Sequence, residues 1–430
     1  MVTSLPSLPV EIIDLIADDL ETTDFHSLRL VCQELKAKTL HRFLRKARRH
    51  AFTDLSHASL SKLEQLCESE TIRQHIRELK IKHTDGKETF GEDLLWTPKP
   101  HVVGPPEGMP MLANLLVNKM VNCRSFSLNH SACLPSNAEE QHTLGGMDCL
   151  QVLLSTLAEQ NLGPKLICLH QHCSNPHLNQ FAYTILNTLP QSIPNYSGIW
   201  SQLEELHVGD TFTRQSCTNW LLEIFKNSPK LRKLILVFLV QDTDNLLEHL
   251  STDIWSLPAL RHLEILKACV AGPTLLGFIS RFGETLKTLK LVRPILHAGM
   301  RWKELVLALS SHLPHLQHIK LRKLIFPLSN EDGHPTRWVR FPILRDVRIR
   351  RDPNVPILGD IPLKLYGEWL RNKSSPYGIQ YEGEKMSEAL RLIADTLYYK
   401  GTRDDPEPYP NPPIPREIKA EIMGWLVGGP

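Results

Sequence analysis

The sequence predicts an α/β protein in which a small three-helix module precedes a long repeating strand–helix solenoid with a helical C-terminal cap. Two observations carry this. The phrase Leu-x-x-Leu-x-Leu recurs at nearly constant spacing through the central chain, and the intervals between its copies hold apolar residues at helical steps. A third, the three short apolar stripes of helical period before residue 50, defines the opening module. With 430 residues, 42% hydrophobic and 22% charged, the chain is long enough for two or three buried cores.

The first stripe begins at Leu8-Pro9 and runs through Ile12, Ile16 and Leu20 at steps of four. Pro9 near the first turn loses no helical hydrogen bond there, and Glu11 places a carboxylate where the helix dipole favours it. Thr22, Thr23 and Asp24 interrupt the pattern with cap-type side chains, and Phe25, Leu28, Cys32 and Leu35 predict a second amphipathic helix. Leu40, Phe43, Leu44 and Ala47 form the third stripe, surrounded by Arg42, Arg45, Lys46, Arg48 and Arg49. Three helices this short bury little surface by themselves, so part of their apolar area is expected to await a partner.

The segment LPVEIIDLIADDLETTDFHSLRLVCQEL resembles the F-box, whose pattern runs Leu-Pro-x-Glu-Ile, spaced aliphatics, Asp-Leu, then Leu-Arg-x-Val-Cys. Leu8, Pro9, Glu11, Ile12, Ile16, Leu20, Asp24, Leu28, Arg29, Val31 and Cys32 match, and Phe25 stands where leucine is usual. The resemblance implies a substrate receptor of Skp-cullin-F-box ubiquitin ligases. It implies that Leu8, Pro9, Glu11, Ile12, Ile16, Leu20, Phe25, Leu28, Val31, Cys32 and Leu35 meet a Skp-type adaptor, which connects to a cullin.

The strand phrase reads LEELHV at 203, LRKLIL at 231, LRHLEI at 260, LKTLKL at 286, LQHIKL at 316 and LRDVRI at 344, with starts 28, 29, 26, 30 and 28 residues apart. This period lies in the range of leucine-rich repeats, each a short strand with a return helix, and the stretch resembles an irregular array of them. Gln215 to Lys226, Thr274 to Phe282 and Met300 to His312 read as return helices, and IRELKI at 76, CRSFSL at 123 and KLICLH near 165 as earlier strands. Thr84 to Pro110 and Asn129 to Gly146 read as exposed inserted loops, and Leu365 to Leu370 and Lys385 to Tyr399 as capping helices. The expected divisions are 1–50, helical; 51–352, repeats; 353–403, cap; and 404–430, a proline-rich linker with a tail helix, IPREIKAEIMGWL, that echoes the opening LPVEIIDLIADDL.

Alternate strand residues project onto the concave face of such an array. They are His207, Lys233, Ile235, Val237, His262, Glu264 and Leu266, then Lys290, His318, Lys320, Arg322, Arg348 and Arg350. The face thus turns basic toward the carboxyl end. Lys290, His318, Lys320, Arg322, Arg348 and Arg350 are the expected contacts for an acidic or phosphorylated target, since guanidinium and ammonium groups suit carboxylate and phosphate oxygens.

Cys168, His170, His172, Cys173 and His177 offer zinc-type donors, but their spacing is compressed and no Cys-x-x-Cys pair accompanies them, so no metal or other cofactor is expected. No nucleophile elbow, metalloprotease pair, dinucleotide fingerprint or kinase signature occurs, and the expectation is a non-catalytic chain. A net charge of +2 gives no global pull toward nucleic acid or membrane, and the opening residues lack a secretory pattern. The nine cysteines show no framework spacing. Cytoplasm or nucleus is the expected location. An F-box protein acting outside ubiquitination and a repeat scaffold without an adaptor are the competing readings.

Overall fold

Leucines at every second position, buried on one side only, explain why each strand phrase within the described residues forms a strand. The computed structural model describes residues 5–40, 42–43, 49–82, 90–91, 108–130, 144, 146–171, 186–213, 217–238, 243–252, 260–326, 337–340, 363–366 and 378–400. Two compact units are present: Met1–His130 with Leu134–Pro164, and Ser131–Cys133 with Lys165–Pro430. The division falls inside the stretch 51–352, where the sequence announces no boundary.

The first unit opens with helices α1 (Val10–Asp19), α2 (Thr22–Val31) and α3 (Gln33–Lys38). The structure corrects the expected second helix, which was to carry Phe25 through Leu35. Cys32 adopts an extended conformation (φ −158°, ψ 164°) that ends α2, and its Sγ accepts from the Leu35 amide at 3.5 Å to cap α3. Polar side chains lock the module from within. Arg29 donates to Thr39 Oγ1 at 3.1 Å and lies over the Phe43 ring at 4.0 Å, Lys38 Nζ donates to the carbonyl oxygen of Leu8 at 3.0 Å, and Arg42 pairs with Asp18.

Beyond it, β1 (His50–Thr53), β2 (Glu78–Lys82) and β3 (Ser125–His130) form a parallel sheet in that order, with α4 (His57–Glu68) and α5 (Gly146–Glu159) among the connecting helices. Most of the two stretches expected as exposed inserts lies outside the described residues, but one described point of each differs from that expectation. Phe90 and Leu144 exchange backbone hydrogen bonds of 3.2 and 2.8 Å, and both side chains are buried.

In the second unit β4 (Leu166–Gln171), β5 (Glu205–Asp210), β6 (Lys233–Val237) and β7 (His262–Leu266) pair successively in parallel. After the two-residue strand β8 (Cys269–Val270), β9 (Thr288–Val292) pairs with β7. After β10 (Ile295–Leu296), β11 (His318–Arg322) pairs with β9, again in parallel. Helices α6 (Thr218–Lys226), α7 (Thr243–Thr252), α8 (Gly272–Ser280) and α9 (Trp302–His312) alternate with these strands. Leu234, Leu236, Leu263, Ile265, Leu289, Leu291, Ile319 and Leu321 are buried, each contributing about 1.5–3 kcal/mol of hydrophobic stabilisation. Trp220 on α6 and Trp302 on α9 are buried, and Trp302 Nε1 donates to the carbonyl oxygen of Ile325 at 2.9 Å. The result is a repeat-type α/β fold with a large parallel sheet.

The carboxyl end departs from expectation. A second sheet joins β8, β10 and β12 (Ile325–Phe326) in parallel, then β13 (Arg337–Arg340) antiparallel. Leu365 lies on a strand, β14 (Leu363–Tyr366), and not on a capping helix, while β15 (Gly378–Glu382) takes the place beside β11 in antiparallel sense. The phrase at 344 had been expected to continue the parallel series; it lies outside the described residues, as does the tail after 400. Helix α10 (Met386–Thr396) forms within the expected 385–399 span and packs on α9 with Lys303 3.4 Å from Asp395, but Tyr398 and Tyr399 leave the helix for β16 (Tyr398–Lys400), which pairs with β13.

Three non-glycine residues that follow consecutive long strands have positive φ: Lys267 (59°), Arg293 (57°) and Lys323 (53°). An L-residue in this region carries a cost of about 1–2 kcal/mol, so the turn geometry, and not the residue type, sets the conformation.

Candidate functional site

The positions that the F-box resemblance assigns to adaptor contact separate by exposure. Pro9, Glu11, Ile12 and Val31 are exposed, Ile12 by 42% and Val31 by 69%; Leu8, Ile16, Leu20, Leu28 and Cys32 are half-buried. Phe25 and Leu35 are buried inside the module. Ile13 and Ala17, one step from Ile12 and Ile16, are also buried, so the inward face of α1 is rotated by one residue from the sequence stripe. Sequence reasoning passed over Leu5, Val10, Leu15 and Leu30, which stand exposed on the same module, Leu30 by 86%. They interleave with the matched positions and carry no period of their own. Apolar side chains exposed together on three short helices leave a surface whose burial against another molecule would be favourable.

The second surface is the sheet face opposite the leucine layer. His207, Lys233, Ile235, Val237, His262, Glu264, Leu266, Lys290, His318, Lys320 and Arg322 all lie on it and are half-buried, as strand alternation requires. Strand register aligns them in rows. One runs Glu205, Lys233, His262, Thr288, His318, Glu382; the next His207, Ile235, Glu264, Lys290, Lys320, Gln380; the third Val237, Leu266, Val292, Arg322. Charges match across strands from Lys233 to Glu205 at 2.9 Å and from Lys290 to Glu264 at 3.6 Å, while the His318 imidazole, which burial pushes below its ordinary value, lies 3.6 Å from Glu382. Lys290, His318, Lys320 and Arg322 are thus brought together, with an apolar strip of Val237, Leu266 and Val292 beside them. Burial, with Lys290 and Arg322 adding to it, lowers the Lys320 ammonium below its ordinary value. Arg348 and Arg350 lie outside the described residues.

Burial also pushes the His207 imidazole down to about 4, with Lys233 acting in the same direction and Glu205 against it. A group whose folded value is depressed stabilises the fold above its unfolded value, near 6.5, and that stability is lost as pH falls toward 4. Between pH 7 and pH 5 the denaturant midpoint is expected to drop more for the wild-type chain than for His207→Gln. Equal drops would show that His207 does not contribute.

Of the zinc-type cluster, Cys168 and His170 share one face of β4, and His170 lies so close to Gly209 that a Cβ there would stand 2.4 Å from the imidazole. His172, Cys173 and His177 lie outside the described residues. Among the described residues no group of three or more His, Cys, Asp or Glu is placed to hold a metal ion, and no helix is long and apolar enough to cross a membrane.

No protein-family model matches the chain, and no curated protein matches it. Among solved structures it is similar to the Rad7 and Elc1 complex in yeast, at 12% identity over 74% of this chain and 92% of the other, with a TM-score of 0.27. A score that low carries no argument about fold or partner.

Proposed function

We propose that the chain is a non-catalytic substrate receptor. Helices α1–α3 act as an F-box that docks a Skp-type adaptor and through it a cullin, and a leucine-rich-repeat solenoid holds the target protein for ubiquitination. The observation that carries the reading is the conjunction at the amino terminus: residues that match the F-box pattern, among them Ile12 and Val31, are apolar and exposed, whereas the matched Arg29 is spent inside the module on Thr39 and Phe43. An isolated cap of the following sheet would have no use for Ile12, Leu15, Leu30 and Val31 exposed together beside its own buried Phe25 and Leu35. The target side of the reading rests on Lys290, His318, Lys320 and Arg322, which share one face with an apolar strip. No cofactor is required, and cytoplasm or nucleus suits the reading.

The test is co-purification of the full chain with the adaptor and a cullin. Retention of both supports the receptor; retention of the adaptor without the cullin favours an F-box protein acting outside ubiquitination. Absence of the adaptor leaves a repeat scaffold and ends the proposal.

A further inference from the structure

The three positive-φ residues that follow β7, β9 and β11 are all cations, and they share one offset within the repeat. Lys267, Arg293 and Lys323 each stand seven residues after the opening leucine of a strand phrase, at Leu260, Leu286 and Leu316. Glycine or asparagine meets a left-handed position at lower cost, yet neither occurs at these three sites. The backbone carries them in step: the amide of Lys267 donates to the carbonyl oxygen of Val292 and that of Arg293 to the carbonyl oxygen of Arg322, both at 2.8 Å. Lys267 and Arg293 therefore sit at the carboxyl ends of their strands beside the end of the next one, and Lys323 directly follows β11. Successive cations are displaced by about one strand spacing, roughly 4.8 Å.

We propose that Lys267, Arg293 and Lys323 form a rim that holds a run of aspartate or glutamate residues on a partner protein. Several observations converge on that chemistry. Strands β7, β9 and β11 carry Lys290, Lys320 and Arg322 on their exposed face against one acidic residue, Glu264, which already pairs with Lys290. Among the described residues Lys267 and Arg293 make no ion pair, and Arg293 is exposed. The array spans two strand spacings, roughly 10 Å, which is the reach of about three residues of extended chain and more than one phosphate group covers. These strands contain no Phe, Tyr or Trp on which a base would stack, and single-stranded nucleic acid is bound chiefly through such rings. The inference deepens the receptor reading by giving the target a chemistry, and its test does not depend on the adaptor.

The test uses the full chain and a fluorescent decaglutamate peptide, read by anisotropy. Uncharged, singly phosphorylated and single-stranded oligonucleotide probes of equal length run in parallel. Lys267→Asn, Arg293→Asn and Lys323→Asn are combined, because asparagine accepts the left-handed conformation and removes only the charge. Lys226→Asn with Lys230→Asn removes two exposed charges elsewhere. Decaglutamate is expected to bind more tightly than the other probes. Its affinity should fall by about tenfold or more in the triple variant at about 0.1 M salt, and stay unchanged in the control variant. Wild-type affinity in the triple variant overturns the proposal, as does equal loss in the control, or a phosphopeptide, neutral peptide or oligonucleotide that binds as well as decaglutamate. Adaptor capture measured on the same preparations separates the two readings: peptide binding without adaptor capture keeps the rim and removes the F-box.

Discussion

Ile12→Asp combined with Val31→Lys is expected to abolish adaptor capture while leaving the thermal midpoint of the chain nearly unchanged. Both side chains are exposed, so neither change opens a cavity. The charges are chosen to suit the helices. Ile12 lies in the first turn of α1, where a carboxylate is favoured, and Val31 ends α2, where an ammonium is favoured. A charge forced into an apolar interface costs about 2 kcal/mol or more, and two such changes lower affinity by about 100-fold or more. Retained capture in a pull-down would remove Ile12 and Val31 from the interface. Phe25→Ala or Leu35→Ala would not serve, because both residues are buried and their loss destabilises the module by about 2–5 kcal/mol whatever the module binds.

The second large effect is structural. Trp302→Ala is expected to lower the stability of the second unit by about 3–5 kcal/mol, since it empties a fully buried site and strips the Ile325 carbonyl of its indole donor. Trp302→Phe keeps most of the packing and should cost less, so the two variants separate volume from hydrogen bond. Urea unfolding followed by circular dichroism measures both. Because the chain has two compact units, two transitions are the expected form, with only one of them moved by either variant. A shift below about 1 kcal/mol for Trp302→Ala would show that the site collapses around the loss.

The strands were legible because their signal is local and redundant: two buried aliphatics at alternate positions, repeated with a period, specify both element and face. Each phrase from 76 to 316 therefore appears as a strand. What periodicity could not give was direction. Leu363–Tyr366 and Gly378–Glu382 form antiparallel strands, and nothing in their residues distinguishes that from the expected helix start at Leu365. The break at Cys32 was hidden for a different reason. Leu28, Cys32 and Leu35 keep helical spacing across it, and only the backbone dihedrals reveal that a new helix begins. The basic face was readable from strand alternation, whereas its pairing of Lys290 with Glu264 depended on register between strands 26 residues apart, 290 less 264. Lys267, Arg293 and Lys323 stand at one offset from the phrases at 260, 286 and 316, but a cation after a strand attracts no notice until its φ is known.

The antiparallel seating of β15 on β11 has a consequence for how such a chain can change its length over descent. A parallel series accepts another strand–helix unit wherever the neighbours on both sides offer parallel edges, so a duplicated segment can be spliced in between β5 and β11. After β11 the edge is committed to a strand of opposite sense, and a unit added there would have to displace β15 and strand the helix α10 that follows it. Homologues of different size should therefore carry their extra units before β11 and keep the closing segment from Gly378 to Thr396 intact.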